Sequence, residues 1–127
     1  MISHGIASDC QTFGYLAEHL ASHRYGVINL EHAETSAEKF SRFLQGLEGS
    51  PTPSELLHRP RDITAVLDTL AVRAVNEPNL QTLNLQAVGV LGQSLGGYTI
   101  LAAAGAELNR PELEQQCLAT LAERALR

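Results

Sequence analysis

Apolar positions along the chain change period several times, and each change marks a boundary. Met1-Ile2-Ser3-His4-Gly5 reads as the end of a strand running into a glycine turn, and Ser8 with Gln11 as a capping box for the helix that follows. In that helix Phe13, Leu16, Ala17 and Leu20 recur at i, i+3, i+4 and i+7, and Gly26 is the expected stop. Gly26-Val27-Ile28-Asn29-Leu30 is then a short apolar run, read as a buried parallel strand ending near Glu31-His32. Thr35 and Glu38 are expected to cap a helix carrying Phe40, Phe43, Leu44 and Leu47, followed by the loop Gly49-Ser50-Pro51-Thr52-Pro53. Residues 33–60 as a whole read as an excursion or partial lid. After Arg59-Pro60, the spacing of Ile63, Val66, Leu67 and Leu70 predicts a helix to about Val75, ended by Asn76-Glu77-Pro78-Asn79.

The informative stretch comes next. Leu85 to Leu91 predicts a strand with Val88, Val90 and Leu91, and Gly92-Gln93-Ser94-Leu95-Gly96-Gly97 separates it from the small-residue helix Tyr98-Thr99-Ile100-Leu101-Ala102-Ala103-Ala104. Gly-x-Ser-x-Gly between a strand and a helix is the pattern of a nucleophile elbow. The glycines let strand and helix pack closely while the serine oxygen points out of the sheet. The helix N-terminus aims its free N–H groups at a reacting carbonyl oxygen, which favours the charge that develops there. Two other readings of the turn exist: a glycine turn that only packs a helix on a sheet, and a phosphate-binding loop. The second fits poorly, because neither Gly-Lys-Ser/Thr nor Gly-x-Gly-x-x-Gly spacing is present. A last helix is expected to open at Pro111, with Leu113, Cys117, Leu118 and Leu121 on one face.

Composition narrows the partners. The 127 residues are enough for one domain with a hydrophobic core, and 44% are hydrophobic. A net charge of -5 argues against nucleic acid or an anionic membrane as partner. No apolar run approaches the roughly 20 residues that cross a bilayer, so no membrane span is expected. The first residues carry neither the basic nor the apolar region of a signal peptide. The compartment stays open, with the cytoplasm as default. Cys10 and Cys117 have no metal or redox spacing and read as small apolar residues.

Four stretches together resemble the α/β-hydrolases, in particular the dienelactone hydrolase and platelet-activating-factor acetylhydrolase-like branch. They are Ser3-His4-Gly5, Tyr15 to His23, Arg59-Pro60-Arg61-Asp62-Ile63, and Val88 to Tyr98 with the elbow at its centre. The resemblance implies a partial α/β-hydrolase fold, a parallel sheet flanked by helices and truncated at both ends, forming a single incomplete domain over residues 1–127. It implies hydrolysis of a small-molecule carboxylic ester or lactone through an acyl-enzyme on Ser94, with no metal or organic cofactor. Ser3-His4-Gly5-Ile6 falls where the family places its second oxyanion loop, so the backbone N–H groups of Leu95 and Ile6 are the expected oxyanion donors. The His4 side chain is read as a brace for that loop.

The chain departs from the family in its acid and base. Serine needs a histidine to take its proton and a carboxylate to orient that histidine, and in this fold both follow the serine in sequence. All five histidines, His4, His19, His23, His32 and His58, precede Ser94. Glu107, Glu112, Glu114 and Glu123 follow it but read as solvated helix faces. His32 and His58 read as loop packing or surface rather than as substitute bases. The expectation is therefore a serine hydrolase fragment, weakly active or inactive alone, with self-association through exposed sheet edges. The alternative is a non-catalytic binding or interaction module derived from the same fold.

Overall fold

The computed structural model describes all residues except 50–52, 108, 110, 113 and 118–127. Three short parallel strands, β1 (Ile2–Ser3), β2 (Asn29–Leu30) and β3 (Leu91–Gly92), form one sheet in the order β2-β1-β3. Ile2 pairs with Asn29 on one side and Leu91 on the other, and Ser3 with Leu30 and Gly92. The helices are α1 (Gly14–Ser22), α2 (Ala37–Leu44), α3 (Pro53–Ala74), α4 (Pro78–Gln81) and α5 (Leu95–Ala103), with a 3-10 turn over Ala33–Thr35. The architecture is α/β: α5 packs on β1 and β3, and α3 packs on α5. Among the described residues no helix is long and apolar enough to cross a membrane.

Periodicity located the faces better than the ends. Phe13, Leu16, Ala17 and Leu20 form the half-buried face of α1. The Ser8–Gln11 box, however, does not form, and α1 starts at Gly14. Asp9 takes over: its Oδ1 accepts from the N–H groups of Gln11 and Thr12 at 2.9 and 3.0 Å, building a side-chain turn before the helix. At the other end the left-handed residue is Arg24 (φ 68°), not Gly26. Gly26 is small for a different reason, since a Cβ there would strike the Leu83 side chain.

The second cap is displaced by one residue. Ser36, not Thr35, caps α2, accepting from the Lys39 N–H at 3.2 Å. Thr35 is instead buried. Leu44 and Leu47, expected on the packed face with Phe40 and Phe43, are exposed. The helix expected after Arg59-Pro60 begins at Pro53, so Pro60 lies inside it. The strand expected over Leu85 to Leu91 narrows to Leu91–Gly92, because the central strand offers only two residues for pairing. Residues 111, 112 and 114–117 are helical, with Cys117 exposed; Leu113, Leu118, Leu121 and Glu123 lie outside the described residues.

The centre of the molecule is mostly polar. Among the described residues Ile2, Leu30 and Ile63 are the buried hydrophobic ones, and beside them Ser3, His4, His32, Thr35, Arg59 and Thr99 are buried too. Buried polar groups cost free energy unless hydrogen-bonded, so each of these six needs partners.

Candidate active site

The turn after β3 shows why its sequence is glycine, x, serine, x, glycine. Ser94 sits at φ 53°, ψ -118°, a conformation that L-residues rarely adopt and that costs on the order of 1–3 kcal/mol. A Cβ at Gly92 would collide with the Gly96 backbone, and a Cβ at Gly96 would collide with the Ser3 carbonyl. Strand β1, strand β3 and the first turn of α5 therefore meet at backbone distance, which only these glycines permit. The turn is closed by Gly96 N–H donating to Gln93 O at 2.8 Å. Ser94 is thrown outward and exposed. It holds the N-cap position of α5 without using its hydroxyl as a cap.

The loop after β1 lies against this turn. A Cβ on Gly5 would come within 3.4 Å of both Ser94 Cβ and Gln93 O, and within 2.7 Å of Gln93 Oε1. Ile6, the next residue, is 45% exposed, and Ala7 adopts a left-handed φ of 58°. Among the described residues the N–H groups of Ile6 and Leu95 donate to no backbone or side-chain acceptor. Two free donors thus belong to the two segments that flank Ser94.

His4 is fully buried. Its Nδ1 lies 2.6 Å from Gly5 O and its Nε2 3.1 Å from the His32 N. The carbonyl can only accept and the amide can only donate, so the proton belongs on Nδ1. With Nε2 accepting, the contact to Glu31 Oε1 at 3.5 Å is not an ion pair. His4 therefore ties its loop to the end of β2.

The remaining buried groups form, with the partly exposed Asp62, a chain that the sequence did not announce. Asp62 Oδ2 lies 2.6 Å from His32 Nδ1, and His32 Nε2 lies 2.9 Å from Ser3 Oγ. A carboxylate accepts only, so Nδ1 donates to Asp62 and Nε2 accepts the Ser3 hydroxyl proton. Burial pushes the His32 pKa below its ordinary 6.5, against the pull of the Asp62 hydrogen bond. Arg59 completes the network. Its Nε donates to Thr99 Oγ1 at 2.9 Å, one terminal nitrogen to Thr35 Oγ1, and the other to His4 O and, at 3.3 Å, Ser3 Oγ. Loss of water around the guanidinium lowers its pKa to about 10, so it stays charged at neutral pH.

Ser3, His32 and Asp62 thus have the connectivity of a catalytic triad, but Ser3 has no solvent exposure and its hydroxyl also accepts from Arg59. No substrate reaches it. Ser94 has the access and lacks the partners: His32 is committed to Ser3 and Asp62, and His58 is exposed on α3. Glu107, Glu112 and Glu114 are exposed, as expected of solvated positions. Arg59, Thr35, Thr99 and Asp62 went unrecognised in sequence. One signal was available: Arg59 lies four residues before Ile63, on the apolar face of α3 shared by Val66, Leu67 and Leu70. A cation in that stripe announces a buried partner set.

No family model matches this chain, and neither the curated proteins nor the solved structures contain a match to it.

Proposed function

We propose that this chain carries the nucleophile half of a serine hydrolase of α/β-hydrolase type, acting on a carboxylic ester or lactone through an acyl-enzyme on Ser94. The observation that carries the reading is the strained, exposed Ser94 between two glycines that admit no side chain. Strain of this kind persists where the surrounding structure imposes it, and it clusters at reactive positions. The resemblance to the dienelactone hydrolase branch supports the same reading.

The chemistry follows from the arrangement. Ser94 Oγ attacks the ester carbonyl carbon, forming a C–O bond while its proton passes to a base. The carbonyl oxygen becomes an oxyanion held by the N–H groups of Leu95 and Ile6, each such donor being worth about 3 kcal/mol. Collapse breaks the bond to the alcohol, which leaves with the proton from the base, and water then releases the acid from Ser94. No histidine among the described residues bonds to Ser94, so the base must come from outside this set. Hydrolysis of p-nitrophenyl acetate with and without added imidazole tests this. We expect a slow reaction that imidazole accelerates and that Ser94→Ala removes. Fast hydrolysis without imidazole would refute the missing base, and a rate indifferent to Ser94→Ala would refute the nucleophile.

A second reading is a non-catalytic interaction module that keeps the pocket of its ancestor. It is favoured by the burial of Ser3 and His32, which withholds from substrate the serine of the Ser-His-Asp chain found among the described residues. A stable complex with a second copy or another chain, measured by light scattering, together with no Ser94-dependent hydrolysis, would select it.

A further inference from the structure

We propose that Arg59 is the positioning residue of the oxyanion hole, tying the loop that bears the Ile6 N–H and the helix that bears the Leu95 N–H to one guanidinium. The inference rests on the reading of Ser94 as an acyl-transfer nucleophile.

Both flanks of Ile6 lead to Arg59. Two residues before it, His4 O accepts directly from a terminal nitrogen of the guanidinium. One residue after it, the Ala7 N–H donates to Thr35 O at 3.1 Å, and the Thr35 hydroxyl accepts from the other terminal nitrogen. The second donor is reached through one side chain. Arg59 Nε donates to Thr99 Oγ1, which in turn donates to Leu95 O at 2.8 Å, the carbonyl of the donor residue itself. Three of the four acceptors therefore lead to the two donor residues: His4 O and Thr35 lie on either flank of Ile6, and Thr99 holds the carbonyl of Leu95. A guanidinium suits this task because its donors are fixed in one plane, so the separation of its acceptors is fixed with them. The ammonium of lysine is a single flexible point and cannot hold the loop and the helix at a set distance. Gly96 lets α5 approach β1 at backbone distance, which brings Thr99 within reach of a side chain rising from α3.

Thr99 allows the idea to be tested without removing the buried charge. Thr99→Val keeps the side chain's shape and deletes the hydroxyl that joins Arg59 to Leu95, whereas Thr99→Ser keeps the hydroxyl. The whole chain is assayed with imidazole on p-nitrophenyl acetate and on its thionoester, in which sulfur replaces the carbonyl oxygen. The Ser94→Ala background is subtracted, and a thermal melt checks each variant. Sulfur is a weak acceptor on a longer bond, so the thionoester draws little from an oxyanion hole. We expect Thr99→Val to lower the Ser94-dependent ester rate by about tenfold and leave the thionoester rate nearly unchanged, with Thr99→Ser close to the parent on both. Arg59→Lys should show the same pattern at on the order of 10²-fold, the loss that follows a misplacement of about 1 Å. A fall shared equally by both esters in a folded Thr99→Val chain, or no fall at all, would overturn the positioning role and leave Ser94 as nucleophile. Absence of any Ser94-dependent rate in the parent chain is a separate result that removes the nucleophile reading, and the proposal with it.

Discussion

Two serines in this molecule stand in opposite surroundings. Ser94 is exposed on a strained turn beside unpaired N–H groups, but among the described residues no histidine is bonded to it. Ser3 is sealed in the central strand, unstrained, and bonded to a histidine that is bonded to an aspartate. Hydrogen-bond order alone does not make a nucleophile. At Ser3 the same three groups that elsewhere activate a hydroxyl serve instead to satisfy polar atoms that β1 and β2 bury. Reactivity is expected where backbone strain, access and free donors coincide, and that place is Ser94.

The comparison is broken most severely at Arg59. Arg59→Met keeps the length of the side chain while removing donors to Thr99, Thr35, Ser3 and His4. Each buried acceptor left without its donor costs about 1–3 kcal/mol, so the sum is a large fraction of a small domain's stability. Urea unfolding should find this variant largely unfolded. A native-like midpoint would mean the network contributes little. Ser3→Ala is the milder test. It leaves His32 Nε2 without a donor and should cost about 1–3 kcal/mol, while the ester rate continues to depend on Ser94. If Ser3→Ala abolished hydrolysis in a folded chain, the assignment of the two serines would be reversed.

The sequence disclosed these two sites unequally, for a physical reason. Gly92, Ser94 and Gly96 are bound by local geometry: spacing, strain and close approach act within five residues, so the motif can be read directly. The central network joins the buried Ser3, His32, Thr35, Arg59 and Thr99, with the partly exposed Asp62, across most of the chain. Nothing local requires these residues to meet. Only Arg59, a cation on the apolar stripe of α3, departs from its surroundings enough to be noticed. Helix faces were legible for the same reason as the elbow, as Phe13, Leu16, Ala17 and Leu20 illustrate. Helix ends were not, since Asp9, Ser36 and Arg24 compete locally with Ser8, Thr35 and Gly26 for the same roles. The strand over Leu85 to Leu91 proved short because a strand is a property of pairs, and its partner offers two residues.

Protonation sharpens the contrast. His32 has its pKa lowered by burial, so between that lowered value and its ordinary 6.5 the unfolded chain binds a proton that the folded chain does not. Unfolding free energy then rises with pH in this window and levels off above it. Stability should therefore fall as pH is lowered through 6.5, with this group contributing at most about 1.4 kcal/mol per pH unit. Urea midpoints from pH 5 to 8 should show the slope in the parent chain and a shallower one in His32→Gln. Identical slopes would mean that the buried imidazole is not the group being titrated.

The smallest expected change is the one that most directly separates function from stability. Ser94 is held at φ 53°, which glycine adopts without steric penalty. Ser94→Gly should relieve the strain while adding freedom to the unfolded chain, and these two effects oppose each other at about 0.5–1 kcal/mol for the entropy and about 1–3 kcal/mol for the strain. The balance favours the variant, so its melting temperature should rise by a few degrees while the Ser94-dependent ester rate disappears. Ser3 has no such strain to relieve, and Ser3→Gly should only destabilise. If Ser94→Gly lowered the melting temperature as Ser3→Gly does, the turn would be an ordinary packing element and the strain would carry no functional meaning.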